Sequence, residues 1–246
     1  MRLMFFRRAA LALAAGLLLP AAGSAQIPAG QTDNFENNTT QNWQNGGLNG
    51  TGGVTVQLGG PAGPNDHYLQ VLSGQVNAPP KLIIFNRAQW TGNYNTNAIG
   101  SIEMDVINFS STVLALRVAF KEDQTQVSGG YVSSNPITVP VESQPTWHHI
   151  SFPLSNAAMT PLNSPSETFH DLLGSAARPT GPGEVRILSS QLPSFNGDTI
   201  ANGRLGIDNL RAVAAPVPEP AGGLALLLAA AVLAGRRALR HRRGSA

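Results

Sequence analysis

The stretch that decides the fold is SIEMDVINFSSTVLALRVAF, residues 101–120. In its first half, Ile102, Met104 and Val106 share one parity, and Glu103 and Asp105 share the other. In its second half, large apolar residues stand at even positions from 114 to 120, with smaller or polar residues between them. Period-two alternation of this kind is typical of β-strands that bury one face. The stretch therefore predicts two antiparallel strands packed on one side.

Short apolar runs recur along the rest of the chain. Nine segments have the length and spacing expected of a β-sandwich: 54–58, 68–72, 81–85, 101–108, 112–120, 130–133, 147–154, 184–190 and 205–213. Turn signals such as Gly59-Gly60-Pro61 and Gly181-Pro182-Gly183 separate them. Residues 156–178 are irregular, with at most a short helix near 167–173. We predict an all-β, two-sheet antiparallel β-sandwich and, among sandwiches, a jelly roll.

The net charge of the whole chain suggests nucleic-acid binding, but the distribution of the charges does not. The 246 residues have a formal net charge of +2, but the basic residues concentrate at the two ends. Residues 26–215 hold 8 basic and 13 acidic residues, a net charge of −5, and the basic ones are scattered. This pattern excludes nucleic-acid binding. The chain has no cysteine, which excludes disulfides and thiol catalysis.

The N-terminus has the composition of a secretory signal peptide. Arg2, Arg7 and Arg8 precede an apolar stretch at 9–19 and the small-residue run 21–25. We predict a signal peptide at 1–25, with cleavage after Ala25, or alternatively after Ala22, and export by the Sec machinery. A linker at 26–32 then leads into one β-sandwich domain at 33–215.

The C-terminal segment 216–246 has three parts. The motif Val217-Pro218-Glu219-Pro220 is proline-rich, which disfavours helix. Residues 221–235 are uncharged, and as a transmembrane helix they would span roughly 22 Å at about 1.5 Å per residue, short of the ~30 Å hydrocarbon core. The basic tail 236–246 begins with Arg236 and Arg237 as a membrane stop and stays cytoplasmic by the positive-inside rule.

This order of motif, apolar span and basic cluster resembles the PEP-CTERM sorting signal. The resemblance implies that exosortase, an integral-membrane transpeptidase-like enzyme, recognises the motif and cleaves near it. The protein would then sit in the inner membrane only transiently, before reaching the cell surface or the medium of a bacterium that makes exopolysaccharide. The alternative is an ordinary C-terminal anchor with a proline-rich stem. The complete motif and the short span favour sorting.

Three segments of the body resemble carbohydrate-binding-module-like jelly rolls. They are 33–36 followed by Trp43, 147–154 and 205–210. In such modules, acidic residues of the first and last strands often hold a structural Ca²⁺ ion, and Glu36, Asp208 and Asp33 stand at the matching positions. Calcium takes six to eight oxygen ligands, so these carboxylates would be only part of the set. The alternative is that Asp208 caps a turn and Glu36 is solvated.

Sugar binding needs exposed aromatic rings for apolar sugar faces and polar groups for hydroxyls. The carbohydrate-binding candidates are Trp43, Trp90, Tyr94 and Trp147, and the loop from Trp90 to Tyr94 is the stronger one because Asn and Gln lie close by. Strand parity places Trp147 with His149, on the face opposite Ile150. The alternative for each tryptophan is packing in the core or at its rim.

The sequence predicts no catalytic residue and no certain cofactor. It has no His-Glu-x-x-His and no Gly-x-Ser-x-Gly motif. Glu103 and Asp105 share a polar strand face, and a glycoside hydrolase needs two carboxyls about 5–10 Å apart. We predict an exported, non-enzymatic protein of the cell envelope or extracellular matrix, polysaccharide-associated or structural. A secreted polysaccharide-active hydrolase or lyase using Glu103 and Asp105 is the alternative.

Overall fold

The computed structural model describes residues 27–45, 53–73, 79–125 and 128–216. The predicted signal peptide and the sorting segment from Val217 onward, with its predicted transmembrane helix, lie outside these residues. Within the described ranges, no helix has both the length and the hydropathy needed to cross a membrane.

Thirteen strands run through the described residues. In chain order they are β1 (Thr32–Asp33), β2 (Gln44–Asn45), β3 (Val54–Gly60), β4 (Gly63–Leu72), β5 (Ile83–Asn86), β6 (Ile99–Asn108), β7 (Leu114–Lys121), β8 (Gly130–Ser133), β9 (Ile137–Val139), β10 (His148–Pro153), β11 (Met159–Leu162), β12 (Glu184–Ser189) and β13 (Arg204–Ala214). One short helix, α1, spans Phe169–Leu172. The hydroxyl of Thr168 caps it by accepting from the Asp171 N–H at 3.2 Å.

The strands form two antiparallel sheets. The first sheet has the order β10-β6-β13-β4-β3, with β1 paired to β13. The second has the order β11-β8-β7-β12-β5-β2, with β9 paired to β7. Most neighbours in each sheet are not consecutive in the chain, so connections cross repeatedly between the sheets. The architecture is the predicted two-sheet antiparallel sandwich and is consistent with a jelly roll.

Inward-facing residues of both sheets form one hydrophobic core. Met104 and Val106 of β6 and Val118 and Phe120 of β7 all belong to it, with no exposed surface. This is the face that the alternation in 101–120 predicts. All nine predicted strands and the short helix are present. The strands β1, β2, β9 and β11, which were not predicted, are two to four residues long, too short to show a period.

The second sheet departs from the predicted one-sided packing. Every residue of β7 and β12 is buried on both faces, including Arg117 and Lys121 on the outward side. The reason is the segment 190–198, here called the covering loop. It places Phe195 against Ala119 and Leu188 in a second, smaller apolar cluster.

Residues 27–32 are part of the domain and not the predicted linker. Ile27 is only 1% exposed and belongs to the core. The backbone N–H of Gly30 donates to the carbonyl of Ala212, and the N–H of Ala212 donates to Gln31, both at 2.9 Å. These bonds extend the pairing of β1 with β13. The domain therefore begins no later than Ile27.

Candidate functional site

The predicted sugar platforms Trp43 and Trp90 are buried around Asp33. The Nε1–H groups of the two indoles donate to Oδ2 of Asp33 at 2.7 and 2.6 Å, and the ring centroids lie 6.0 Å apart. None of the three residues is more than 1% exposed. The prediction that these tryptophans are exposed platforms is therefore wrong. They pack in the core, and Asp33 satisfies their buried donors.

Tyr94 belongs to the same buried cluster. Its hydroxyl donates to the carbonyl of Trp90 at 2.7 Å, and its ring meets Phe120 edge-on with 5.6 Å between centroids. Burial, and then the negative charge of Asp33, raise the pKa of Tyr94 well above its usual value. The loop from Trp90 to Tyr94, which the sequence favoured as a sugar site, is instead core packing.

The three predicted calcium ligands have different surroundings. The Asp33 carboxylate is engaged by the two indoles, whereas Glu36 lies at the surface, where it accepts from the His67 N–H at 2.9 Å. That hydrogen bond lowers the pKa of Glu36. Across the described parts of the chain, no three His, Asp or Glu side chains are grouped so as to hold a metal ion. Asp33 is thus engaged by the core indoles, and a calcium ion held with the help of Glu36 and Asp208 stays a prediction.

Asp208 is a buried carboxyl group with an unpaired oxygen. It lies on β13 directly opposite Asp105 of β6. The residue is 1% exposed, and its Oδ1 has no hydrogen-bond partner within the described structure. Burial, together with the charges of Asp66, Asp105 and Glu36, outweighs the hydrogen bond from the Asn209 N–H and raises the Asp208 pKa to about 7. This carboxyl therefore exchanges its proton near neutral pH.

The outward side of the first sheet carries an aromatic strip, here called the Trp147 face. Trp147 is half-buried and meets Tyr68 edge-on, with ring centroids 5.3 Å apart. Both rings lie over Gly206, since a Cβ there would sit 3.1 Å from each ring. Phe109 extends the strip, 6.1 Å from Tyr68. The absence of a side chain at Gly206 lets the two rings lie close against the sheet.

Polar groups border the aromatic strip. The guanidinium of the exposed Arg204 lies 4.8 Å from the Phe109 ring centre. In the amide orientation that satisfies both groups, the Gln70 oxygen accepts from Arg204 at 2.8 Å and from the Tyr68 hydroxyl at 3.2 Å. The strip thus presents apolar rings with hydrogen-bonding groups beside them.

A row of ionisable residues crosses the same face from β10 to β13. His149 Nδ1 lies 2.8 Å from Asp105 Oδ1, and Nε2 lies 3.5 Å from Glu103 Oε2. The other partners are Asn209, which donates to Asp105 at 2.8 Å, and Arg211, which donates to Glu103 at 2.6 Å. Burial raises the pKa of Glu103, but the hydrogen bond and charge of Arg211 outweigh it, so that the pKa is lowered. Both carboxylates are held in hydrogen bonds.

Sequence reasoning found Trp147 and the ionisable residues of this face but missed the residues that seat the Trp147 ring. Strand parity placed Trp147 outward with His149, and the structure puts both there, opposite the buried Ile150. Tyr68 and Gly206 were missed because they reach Trp147 only through the pairing of β4, β13 and β6. Gly206, between the apolar Leu205 and Ile207 of the closing strand, was the one local signal for them.

Comparison with known proteins gives a likeness of fold. No protein-family model and no curated protein matches the sequence. One similar solved structure is an exo-β-agarase, at 12% identity and a TM-score of 0.51; the match covers 78% of this chain and 26% of that chain. The chain thus spans about a quarter of the agarase, which shares the sandwich fold in that region.

Two carbohydrate-binding modules align over nearly their whole length. One is a family 28 module specific for non-crystalline cellulose, at 12% identity and a TM-score of 0.44, covering 79% of this chain and 99% of the module. The other is the family 11 module from Clostridium thermocellum, in complex with a β-1,3-1,4-mixed-linked tetrasaccharide. It matches at 16% identity and a TM-score of 0.44, covering 76% of this chain and 97% of the module.

Proposed function

We propose that this protein is an exported surface protein that binds polysaccharide through the Trp147 face. The observation that supports this is the seating of Trp147 and Tyr68 over Gly206, on a sheet face that keeps Trp147 half-exposed. An aromatic ring in that position offers its π-face to the C–H side of a sugar ring. Burying one aromatic face against a ligand contributes about 1–2 kcal/mol.

The polar neighbours of the rings suit sugar hydroxyls. Arg204 and His149 are exposed donors on the same face, and Asp105 and Glu103 are half-exposed acceptors. Oxygen and nitrogen groups held in place by mutual hydrogen bonds lose little entropy when they bind a ligand. The residues of the Trp147 face are spread over the neighbouring strands β10, β6, β13 and β4, so we assign the face to a segment of polymer rather than to a small molecule.

Export and sorting complete the proposal. The segment 1–25 would direct the chain through the Sec machinery, and Val217-Pro218-Glu219-Pro220 would be recognised by exosortase. The protein would be held briefly in the inner membrane and then released to the cell surface or the medium, where exopolysaccharide is the partner. The net charge of −5 over residues 26–215 supports the absence of nucleic acid among the partners.

The alternative is a polysaccharide-active enzyme that uses Glu103 and Asp105. Glycoside hydrolysis needs one protonated carboxyl near neutral pH, whereas Arg211 lowers the pKa of Glu103. Asp208 has a raised pKa but is buried, so substrate has no direct access to it. The described geometry therefore favours binding over hydrolysis.

Incubating the purified protein with the producer's own exopolysaccharide separates the two functions. We expect retention of the protein on the polymer with no release of reducing ends, and the same result for Glu103→Gln. Turnover that disappears in Glu103→Gln would overturn the binding proposal in favour of the enzyme.

A further inference from the structure

A separate recess lies on the outward side of the second sheet, away from the Trp147 face. Its volume is about 190 Å³. Lys121 of β7 and Arg186 of β12 contribute to its floor and are 1% and 7% exposed, and the buried Phe195 of the covering loop lines it as well. The exposed Asn163 and Asn196 lie at its rim. The recess therefore combines a polar rim with a cationic floor.

The floor has more positive than negative charge. Glu184 is fully buried, and its carboxylate pairs with both Arg87, at 2.5 Å, and Arg186. One carboxylate thus serves two guanidinium groups. Lys121 has no carboxylate within 4.0 Å in the described structure; its ammonium donates to the carbonyl of Thr125 and lies 5.8 Å from the Phe195 ring centre. Glu184, which stands opposite Lys121 in the pairing of β12 with β7, and Asp123 act on Lys121 only from beyond that distance. This buried cation therefore has no direct carboxylate contact.

Hydrogen bonds from the sheet hold the covering loop in place over the recess. Arg186 Nη1 donates to the Phe195 carbonyl at 2.8 Å, and Arg117 Nη2 donates to the Gln191 carbonyl at 2.7 Å. At the other end of the loop, Asp198 Oδ2 accepts from the Gln191 N–H at 2.6 Å. The recess is consequently shaped before any ligand arrives, which reduces the entropy lost on binding.

We propose that this recess binds one uronic acid unit, with its carboxylate against Lys121 and Arg186. A volume near 190 Å³ is below the roughly 300–1,000 Å³ typical of pockets for larger ligands, which suits a single sugar. The Phe195 ring would take the apolar side of the pyranose, and the Asn163 and Asn196 amides would meet its hydroxyls. Charge-assisted hydrogen bonds to a carboxylate are the strong contacts in this arrangement.

A purely structural role explains the buried Lys121 less well. A buried cation without a carboxylate partner is destabilising, and an apolar residue of similar volume would stabilise the fold. Burial, and then the charge of Arg186, lower the pKa of Lys121 against the opposing charges of Glu184 and Asp123, as expected for a buried cation that lacks a direct carboxylate contact. A ligand carboxylate would supply the direct charge contact that Lys121 lacks.

Calorimetric titration of the purified full chain with sodium glucuronate, glucose and inorganic phosphate tests the proposal. We expect glucuronate to bind at least tenfold more tightly than glucose or phosphate, and binding to weaken with added salt. Lys121→Met should reduce glucuronate affinity at least tenfold and raise the melting temperature, whereas Lys121→Arg should keep most of the affinity. Lys81→Met is the matched control. Lys81 donates to the Gly197 carbonyl of the same covering loop but does not line the recess, so its loss should leave glucuronate affinity unchanged.

Three results would overturn the assignment. If glucose bound as tightly as glucuronate, the carboxylate of the ligand would have no role in binding. If phosphate bound as tightly as glucuronate, the recess would be a general anion site. A Lys121→Met protein that binds as the wild type does, or that melts at a lower temperature, would make Lys121 a structural residue. Because the recess and the Trp147 face lie on different sheets, failure of this proposal leaves polysaccharide binding by Trp147 intact, and the reverse also holds.

Discussion

Replacing Asp33 by alanine should be among the most damaging single changes in the core. The substitution leaves the Nε1–H groups of Trp43 and Trp90 without their acceptor, and both indoles are buried. Each orphaned buried donor costs about 1–3 kcal/mol. Relief from burying a carboxylate offsets part of this sum. We therefore expect Asp33→Ala to lower the free energy of unfolding by about 3–4 kcal/mol, a large share of the 5–15 kcal/mol typical of a domain.

Asp33→Asn is the matched control. Its side-chain oxygen can still accept from both indoles, so the substitution removes only the charge and the long, 3.3 Å hydrogen bond from Gln31 to Oδ1. Since a hydrogen bond to a charged group contributes roughly 1 kcal/mol more than a neutral one, we expect a loss of about 1 kcal/mol. Urea unfolding followed by tryptophan fluorescence measures both variants, and the slope against urea should stay constant.

Two outcomes would refute this reasoning. An Asp33→Ala protein within about 0.5 kcal/mol of the wild type, the usual range for surface substitutions, would mean that the indole bonds contribute little. If EDTA lowered wild-type stability to that of Asp33→Ala, Asp33 would be a metal ligand after all. We expect EDTA to leave the difference between the two proteins unchanged.

Three further predictions concern other parts of the chain. Asp208 has a folded-state pKa raised to about 7, so the folded protein holds a proton that the unfolded chain releases near pH 4. The free energy of unfolding should therefore fall by on the order of 3 kcal/mol as pH rises from about 4 to 7. Unfolding curves of Asp208→Asn should lack that decline. If the free energies of unfolding of the wild type and of Asp208→Asn changed in parallel with pH, Asp208 would not be the group responsible. Gly206→Ala should displace the Trp147 ring together with its neighbours, because the added Cβ would lie 2.5 Å from Cγ2 of Ile107 and 3.1 Å from the Trp147 ring. The Trp147 fluorescence emission should therefore shift to the red, and an unchanged spectrum would count against the seating of the ring over Gly206. Replacing 218–220 by alanines should leave full-length protein in the inner membrane, which cell fractionation followed by gel electrophoresis measures. If the variant is still released and migrates on the gel as the wild type does, sorting does not depend on the motif.

The sequence predicted most of the fold because strand alternation is a local property. The even positions of 114–120 face the core as predicted, and the parity of Trp147 and His149 is visible without any partner strand. What remained hidden depends on contacts between distant segments. Arg117 belongs by parity to the polar face of its strand, and only the covering loop, some seventy residues later in the chain, shows that this residue is buried.

The candidate site was harder to predict than the fold. Asp33 and Trp90 are 57 residues apart, and no periodicity connects an acid in the first strand to an indole in a later loop. A tryptophan beside Asn and Gln has the same local sequence whether it is exposed or buried. Asp33, predicted as a calcium ligand, and Trp43, predicted as a sugar platform, therefore belong to one buried hydrogen-bonded cluster. The exposed aromatic surface is the Trp147 face on the first sheet.

The most direct test of polysaccharide binding is the affinity of Trp147→Ala for the producer's exopolysaccharide. Leu58→Ala is the control, because Leu58 is an apolar side chain, 59% exposed, whose parity on β3 puts it on the opposite side of the same sheet. We expect Trp147→Ala to lose at least tenfold in affinity, about 1.4 kcal/mol, while Leu58→Ala binds as the wild type does. Wild-type affinity in a folded Trp147→Ala protein would show that the Trp147 face does not bind the polymer.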